Sequence, residues 1–213
     1  DRILQVPIEY LTVCLERDFP EDTKIVQYPY KDIPQYYPMS ASFVTICDED
    51  RVIKMLNTRY VNYRLTDQGA YLFNDPNHVI RTKNVFSILD QNWMPVNYQE
   101  MVDPTMDDLP SKAIPACPFD GIEDIRIFPG NAPDQLQFLG TSINYSNTDS
   151  NRMIMGTYDL KEYCLRNCSV LDGHNWCEKN WCPILEDGVN QEDRLFIYKW
   201  SPLEIGKMVE YGP

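Results

Sequence analysis

Two carboxylates and a guanidinium stand inside residues 121–128, GIEDIRIF, a segment that otherwise favours a β-strand. Its isoleucines and phenylalanine suit a pleated, half-buried strand. Glu123, Asp124 and Arg126 do not belong in such a strand unless they are paired or used. A guanidinium beside a carboxyl group lowers its pKa, whereas a carboxyl group in a pocket away from a cation has a raised pKa and can act as an acid. The segment therefore predicts either a structural ion pair or acid–base chemistry.

A second polar triplet, Glu178, Lys179 and Asn180, lies in the segment CEKNWC. It combines a carboxylate, a cation and an amide. The same residues can form a structural ion pair between neighbouring elements. The triplet can therefore take part in acid–base chemistry or form a structural ion pair, and both interpretations stay open on the sequence.

Four of the seven cysteines fall within residues 164–182, with C-x3-C and C-x4-C spacings. Three interpretations compete: a structural zinc site, disulfides formed in an oxidising compartment, and reduced thiols in the core. The spacings differ from the C-x2-C of common zinc ribbons, so zinc is the least favoured. The predicted disulfide and the reduced thiols stay open.

Sixteen prolines and nine glycines separate short segments of strand character. Most of these segments are bounded by turn-forming residues. They cover residues 40–47, 51–56, 59–65, 84–90, 122–128, 136–143, 152–160, 180–185 and 194–205. Sustained helical periodicity is scarce. The pattern predicts an all-β protein with short antiparallel strands, either a sandwich or a propeller.

Four blocks occur in a fixed order along the chain. They are RYVNYRL, then GIEDIRIF with LQFLGTS, then CEKNWCPI, then LFIYKWSPLEIG. Together they resemble five-bladed β-propeller glycosidases and glycoside phosphorylases, and most closely the mannoside-phosphorylase-like branch. The resemblance covers about residues 40–206, and Ile125 stands where the family motif has proline. It implies an N-terminal extension or closing segment at 1–39 and propeller blades over 40–213, with the C-terminal blade missing.

The resemblance also implies a carbohydrate-active function, the hydrolysis or phosphorolysis of a glycosidic bond in a mannoside-like substrate. Glycosidic cleavage uses two carboxyl groups across the bond. Asp124 and Glu178 are the expected catalytic pair. The expected substrate-binding residues are Glu123, Arg126, Lys179, Asn180, Tyr60, Asn62 and Arg64. No metal or organic cofactor is expected, and inorganic phosphate would serve as a co-substrate in phosphorolysis.

A different class of function competes with the enzyme: a non-catalytic propeller that binds glycan or serves as a structural or interaction module of a larger protein. The changed motif and the missing blade favour this alternative. Convergence of Asp124 and Glu178 on an open pocket would favour catalysis. Pairing of the charged residues with one another would favour the module.

The net charge of −13 repels phosphate backbones, so nucleic acid is not an expected partner. No apolar run is long enough to predict a membrane span. The expected partners are a carbohydrate and other domains of a longer polypeptide or an assembly. The sequence indicates no compartment.

Overall fold

The computed structural model describes residues 27–48, 51–105, 119–130, 135–147, 149–171, 173, 177–185 and 194–207. Within these ranges the protein is all-β and contains no helix, so none of them holds a helix able to cross a membrane. The strands are β1 (Tyr37–Asp48), β2 (Arg51–Val61), β3 (Tyr63–Leu65), β4 (Tyr71–Phe73), β5 (Ile80–Leu89), β6 (Gln99–Met101), β7 (Phe119–Asp120), β8 (Glu123–Pro129), β9 (Leu136–Ser142), β10 (Arg152–Asp159), β11 (Cys164–Val170), β12 (Cys182–Pro183), β13 (Leu195–Trp200) and β14 (Leu203–Lys207).

The first sheet has the order β1-β2-β5-β6, with the short β7 pairing parallel to β5. β1 and β2 form a long antiparallel hairpin whose register runs from Tyr37 opposite Val61 to Asp48 opposite Arg51. The two segments predicted at 51–56 and 59–65 are therefore continuous through Asn57. Asn57 is tolerated there because its buried amide donates to Asn84 Oδ1 at 3.1 Å.

The second sheet is a meander of four consecutive strands, in the order β8-β9-β10-β11. The predicted strands at 122–128, 136–143 and 152–160 form its first three members. β11 (Cys164–Val170) was not predicted, because its cysteines suggested a ligand cluster. The third sheet is β12-β13-β14, and β3 and β4 form a separate two-stranded hairpin.

The prediction of an all-β protein with antiparallel sheets is confirmed. The three sheets follow one another along the chain, and each is built mainly from neighbouring antiparallel strands. The described residues form no closed barrel or propeller, so the five-bladed architecture stays a prediction.

Two hydrophobic clusters join the sheets. The cluster between the first and second sheets includes Val44, Phe86, Ile125 and Phe138. The cluster between the second and third sheets consists of Phe128, Leu139, Met153, Met155, Leu171, Trp181 and Phe196. Full burial of one such side chain contributes about 1.5–3 kcal/mol. These clusters fix β8 between two layers.

Buried polar contacts then set the position of β8 on the first sheet. Tyr158 Oη donates to Asn57 Oδ1 at 2.8 Å, and Asn84 Nδ2 donates to the carbonyl oxygen of Ile122 at 2.8 Å. Farther along, the backbone N–H of Ile127 donates to Ser42 Oγ at 2.9 Å. The charged triplet of β8 is therefore held against β1 and β2.

Candidate functional site

A β-bulge in β8 brings two consecutive carboxylates to the same side of the strand. Glu123 lies opposite Thr141 and Arg126 lies opposite Leu139, so Asp124 and Ile125 share one partner, Gly140 on β9. Asp124 has a φ of 49°, in the left-handed region. Side chains of a regular strand alternate between its faces, and a bulge breaks this alternation and redirects a side chain.

Arg59 of β2 is the residue on which both carboxylates converge. Its Nη2 donates to Glu123 Oε1, and its Nη1 donates to Asp124 Oδ1 at 2.9 Å. Ser40, directly opposite Arg59 in the hairpin, donates from Oγ to the same Asp124 oxygen at 3.0 Å. Lys179 Nζ lies 4.0 Å from Glu123 Oε2. We call Ser40, Arg59, Glu123, Asp124 and Lys179 the charged cluster.

Burial differs sharply between the two carboxylates. The side chain of Glu123 is 6% exposed, whereas that of Asp124 is 29% exposed. Desolvation raises the pKa of Glu123, and this effect outweighs the opposing charges of Arg59 and Lys179. The Lys179 side chain is 41% exposed. Solvent therefore reaches the charged cluster at Asp124 and Lys179, and Glu123 lies behind them.

Glu178, the other expected catalytic carboxylate, is engaged in the core. It is 2% exposed, its Oε1 accepts from Tyr198 Oη at 2.7 Å, and its Oε2 accepts from Trp181 Nε1 at 3.2 Å. A Cβ atom added to Gly173 would lie 2.3 Å from Glu178 Oε1, which shows how closely the chain packs there. These contacts bind Glu178 to the third sheet and leave it no open surface toward a substrate.

The three expected binding residues of β2 and β3 have separate roles. Tyr60 is buried, its hydroxyl donates to the Lys31 carbonyl oxygen at 3.1 Å, and burial raises its pKa to about 12. Asn62 bonds the backbone of the next strand, donating to the Val79 carbonyl oxygen at 2.8 Å. Arg64 is exposed and lies 4.1 Å over the Tyr37 ring. None of these contacts reaches the charged cluster.

Arg126 is not the partner of the adjacent carboxylates, because Arg59 takes both. Arg126 is half-buried, and within the described part of the chain its buried Nε has no hydrogen-bond partner. Asn180 is exposed, with a φ of 63°. The local pairing of Glu123 with Arg126, one reading of GIEDIRIF, is replaced by a pairing across sheets.

Two tryptophans of the described residues differ in their burial. Trp181 is buried in the cluster between the second and third sheets, and its N–H is committed to Glu178. Trp200 is 63% exposed on β13. Trp176 lies outside the described residues.

Sequence reasoning missed Arg59 and Ser40. Arg59 belongs to the block RYVNYRL, where the following tyrosines and Asn62 drew attention instead. A signal was present: Arg59 shares the inward face of β2 with Asn57 and Val61, because side chains alternate. An arginine on an inward face requires a carboxylate partner, and GIEDIRIF supplies two.

The cysteine cluster does not assemble. Cys47, Cys164, Cys168, Cys177 and Cys182 carry free thiols, so the predicted disulfide is not seen among them. Cys14 and Cys117 lie outside the described ranges. No group of three or more His, Cys, Asp or Glu residues in the described part of the chain could hold one metal ion.

Comparisons of the chain with protein-family models, with curated proteins and with solved structures found no match. The resemblance to propeller glycosidases stays a prediction that rests on the residues themselves.

Proposed function

We propose that the protein is a non-catalytic carbohydrate-binding module of the propeller-glycosidase type, and that the charged cluster is its sugar-binding site. The observation that carries the proposal is the pairing of Glu123 and Asp124 on Arg59 with only Asp124 facing solvent. Within the described residues, both hydrogen bonds of Asp124 fall on Oδ1. Its Oδ2 is then the oxygen that a sugar hydroxyl can reach.

The cluster suits recognition because it is held rigid. Arg59 and Ser40 fix the Asp124 carboxylate from two sides, so little conformational entropy is lost when it binds. A hydrogen bond to a charged group contributes about 1.5–3 kcal/mol. Lys179 adds donors beside the carboxylate, and sugar hydroxyls both donate and accept. A mannoside-like sugar is the expected ligand, as the family resemblance implies.

Binding is favoured over bond cleavage because, among the described residues, neither Glu123 nor Glu178 joins Asp124 at the exposed edge of the charged cluster. Glycosidic hydrolysis needs an acid and a base or nucleophile on the two sides of the bond. Glu178 is bonded to Tyr198 and Trp181, and Glu123 is covered by Arg59. One accessible carboxylate can hold a hydroxyl without cleaving the sugar.

A glycoside hydrolase or phosphorylase is the second candidate, and the raised pKa of Glu123 favours it. A carboxyl group whose pKa is raised by burial is better suited to donate a proton as a general acid. Lys179 would then contact inorganic phosphate in a phosphorolytic reaction. This candidate requires Glu123 to become accessible when substrate binds.

The test measures binding and turnover on the same preparations. Isothermal titration with a mannotriose should show binding by the wild type and at least about tenfold weaker binding by Asp124→Asn. Asp75→Asn is the matched control, since Asp75 also pairs with an arginine, Arg81, but not in the charged cluster. It should bind like the wild type.

Release of reducing sugar or sugar phosphate is followed with and without inorganic phosphate. If the wild type shows turnover and Glu123→Gln abolishes it, the protein is an enzyme, and the proposal of a non-catalytic binding module is wrong. Absence of binding by the wild type would exclude the proposed sugar site.

A further inference from the structure

The β3–β4 hairpin presents an aromatic face. Tyr63 pairs with Phe73 and Leu65 pairs with Tyr71, so these four side chains lie on one face of the hairpin. The ring centroids of Tyr63 and Tyr71 are 4.8 Å apart, and those of Tyr71 and Phe73 are 5.7 Å apart and nearly parallel. The hairpin therefore carries a continuous aromatic strip.

One end of this strip is anchored and the other is open. Tyr63 is 6% exposed and belongs to a buried cluster with Val61 and Ile80, against which Phe73 packs. Tyr71 is 52% exposed and Leu65 is 47% exposed. An isolated two-stranded hairpin is marginally stable. The anchored end thus holds the exposed pair in a fixed place.

The strip borders the charged cluster. The Tyr63 ring contacts the Tyr71 ring, and burial raises the pKa of the Tyr63 hydroxyl, with smaller effects from the charges of Arg59, Glu123 and Asp124. Phe119 packs against the same buried cluster as Tyr63, and its ring lies 5.8 Å from Lys179 Nζ. Packed side chains therefore connect the charged cluster with Tyr71. Phe119 lies between Lys179 and the buried cluster that contains Tyr63, and the Tyr63 ring contacts the Tyr71 ring.

We propose that Tyr71, supported by Leu65, is the stacking platform for the sugar whose hydroxyl binds Asp124. This inference rests on the proposed sugar-binding function. The faces of a Tyr ring are electron-rich, and they attract the C–H groups that line the apolar face of a pyranose. Tyrosine also offers a large rigid surface at low entropic cost.

A stacking platform at Tyr71 predicts which class of ligand binds. Pyranosides with a continuous apolar C–H face would bind, because one face contacts Tyr71 while ring-edge hydroxyls reach Asp124 and Lys179. A linear polyol has hydroxyls of the same kind but no flat apolar face. The geometry therefore selects for the sugar ring as well as for its hydroxyl groups.

The experiment titrates a mannotriose, and mannitol as the linear polyol, into the wild type and four variants. Tyr71→Ala should bind mannotriose about tenfold more weakly, the effect of removing an apolar contact of this size. Tyr71→Phe should bind like the wild type, because the ring is retained. Mannitol should bind the wild type no better than it binds Tyr71→Ala.

Tyr30→Ala is the matched control. Tyr30 is 51% exposed and lies beside Ala41 and Phe43, on the face of β1 opposite to Ser40. The Tyr30→Ala substitution should leave mannotriose binding unchanged. Melting curves of all variants show whether each one is folded.

The outcomes separate the two proposals. If Asp124→Asn weakens mannotriose binding and Tyr71→Ala does not, the platform is wrong and the sugar site stands. If Tyr71→Ala and Tyr30→Ala weaken binding equally, the assignment to Tyr71 is overturned. If the wild type does not bind mannotriose, both proposals fail.

Discussion

Arg59 gives the site its charge balance at the scale of single residues. It contacts two carboxylates, and Lys179 approaches the more deeply buried one at 4.0 Å, so two cations meet two acids. Removing one member of a buried pair leaves an uncompensated charge and costs about 3–5 kcal/mol. The cluster is therefore structural and accessible at once: Glu123 and Arg59 hold the sheets together, and Asp124 faces solvent.

Glu123 should make stability depend on pH. Its pKa is raised above the ordinary value of 4.5, so the folded protein binds the proton more tightly than the unfolded chain does. The resulting stabilisation is fully present below 4.5 and is lost as the pH rises through the raised native pKa. Urea unfolding over this range should show the advantage of wild type over Glu123→Gln shrinking as pH rises.

Asp75→Asn is the variant for which the opposite pH dependence of stability is expected. A hydrogen bond from Arg81 lowers the pKa of Asp75 below 3.8, so its contribution is present above that value and is lost as the pH falls. A wild-type advantage over Glu123→Gln that stays constant or grows with pH would contradict the assignment for Glu123.

At the scale of elements, the bulge in β8 is what makes the cluster. Without it, Glu123 and Asp124 would point to opposite faces of the strand. The left-handed conformation of Asp124 costs about 1–2 kcal/mol for a residue with a Cβ atom. Its bonds to Arg59 and Ser40 offset this strain. Gly140 completes the arrangement, because Ile122, Glu123 and Ile125 crowd its position on β9.

Gly140→Ala tests the fit of the bulge. A Cβ atom at this position would lie 2.5 Å from Ile122 Cγ2 and 3.3 Å from the Glu123 carbonyl oxygen. Overpacking of this kind costs about 1–3 kcal/mol. Chemical denaturation should show that loss, together with a weaker affinity for mannotriose if the bulge shifts.

Gly206→Ala is the matched control in β14, because apart from its chain neighbours no heavy atom of the described residues lies within 4 Å of the added Cβ. It should be neutral or stabilise by up to about 1 kcal/mol, since alanine restricts the unfolded chain. Equal changes in the free energy of unfolding for Gly140→Ala and Gly206→Ala would show that β8 shifts to accommodate the added Cβ atom without a cost.

At the scale of the whole molecule, the two hydrophobic clusters join the sheets, and the described cysteines lie apart from one another in different environments. Cys164 is buried on β11, where its sulfur accepts from Arg166 Nε at 2.8 Å. Cys168 is half-buried, and burial raises the pKa of its thiol to about 11. Cys47 and Cys177 are exposed. None of the cysteines that the structure describes is joined in a disulfide.

Thiol reactivity should follow this distribution. In the native protein, iodoacetamide should modify Cys47 and Cys177 before Cys164 and Cys168, because the reagent reaches exposed thiols more readily than buried or half-buried ones. Mass spectrometry of peptides after timed labelling measures the order, and labelling in urea should remove it. Recovery of Cys177 or Cys182 in a disulfide-linked peptide under non-reducing conditions would contradict the free-thiol assignment.

The sequence by itself determined the fold class and the location of most strands. Strand-forming residues bounded by turn formers identify β8, β9 and β10, and they identify 194–205 as one segment, which the structure divides into β13 and β14, because this information is local. It also identified GIEDIRIF as the segment whose charges need an explanation. β11 was missed because its cysteines carried a competing signal.

Only the tertiary structure decided which charges pair. Glu123 and Asp124 lie 64 and 65 positions from Arg59 along the chain. The contact depends on the register of β1 with β2, the bulge opposite Gly140 and the packing of β8 on the first sheet. Glu178 and Lys179 are neighbours in sequence, yet one is buried against Tyr198 and the other reaches Glu123. Spacing in sequence cannot specify such contacts, because they are fixed by the packing of sheets that are distant along the chain.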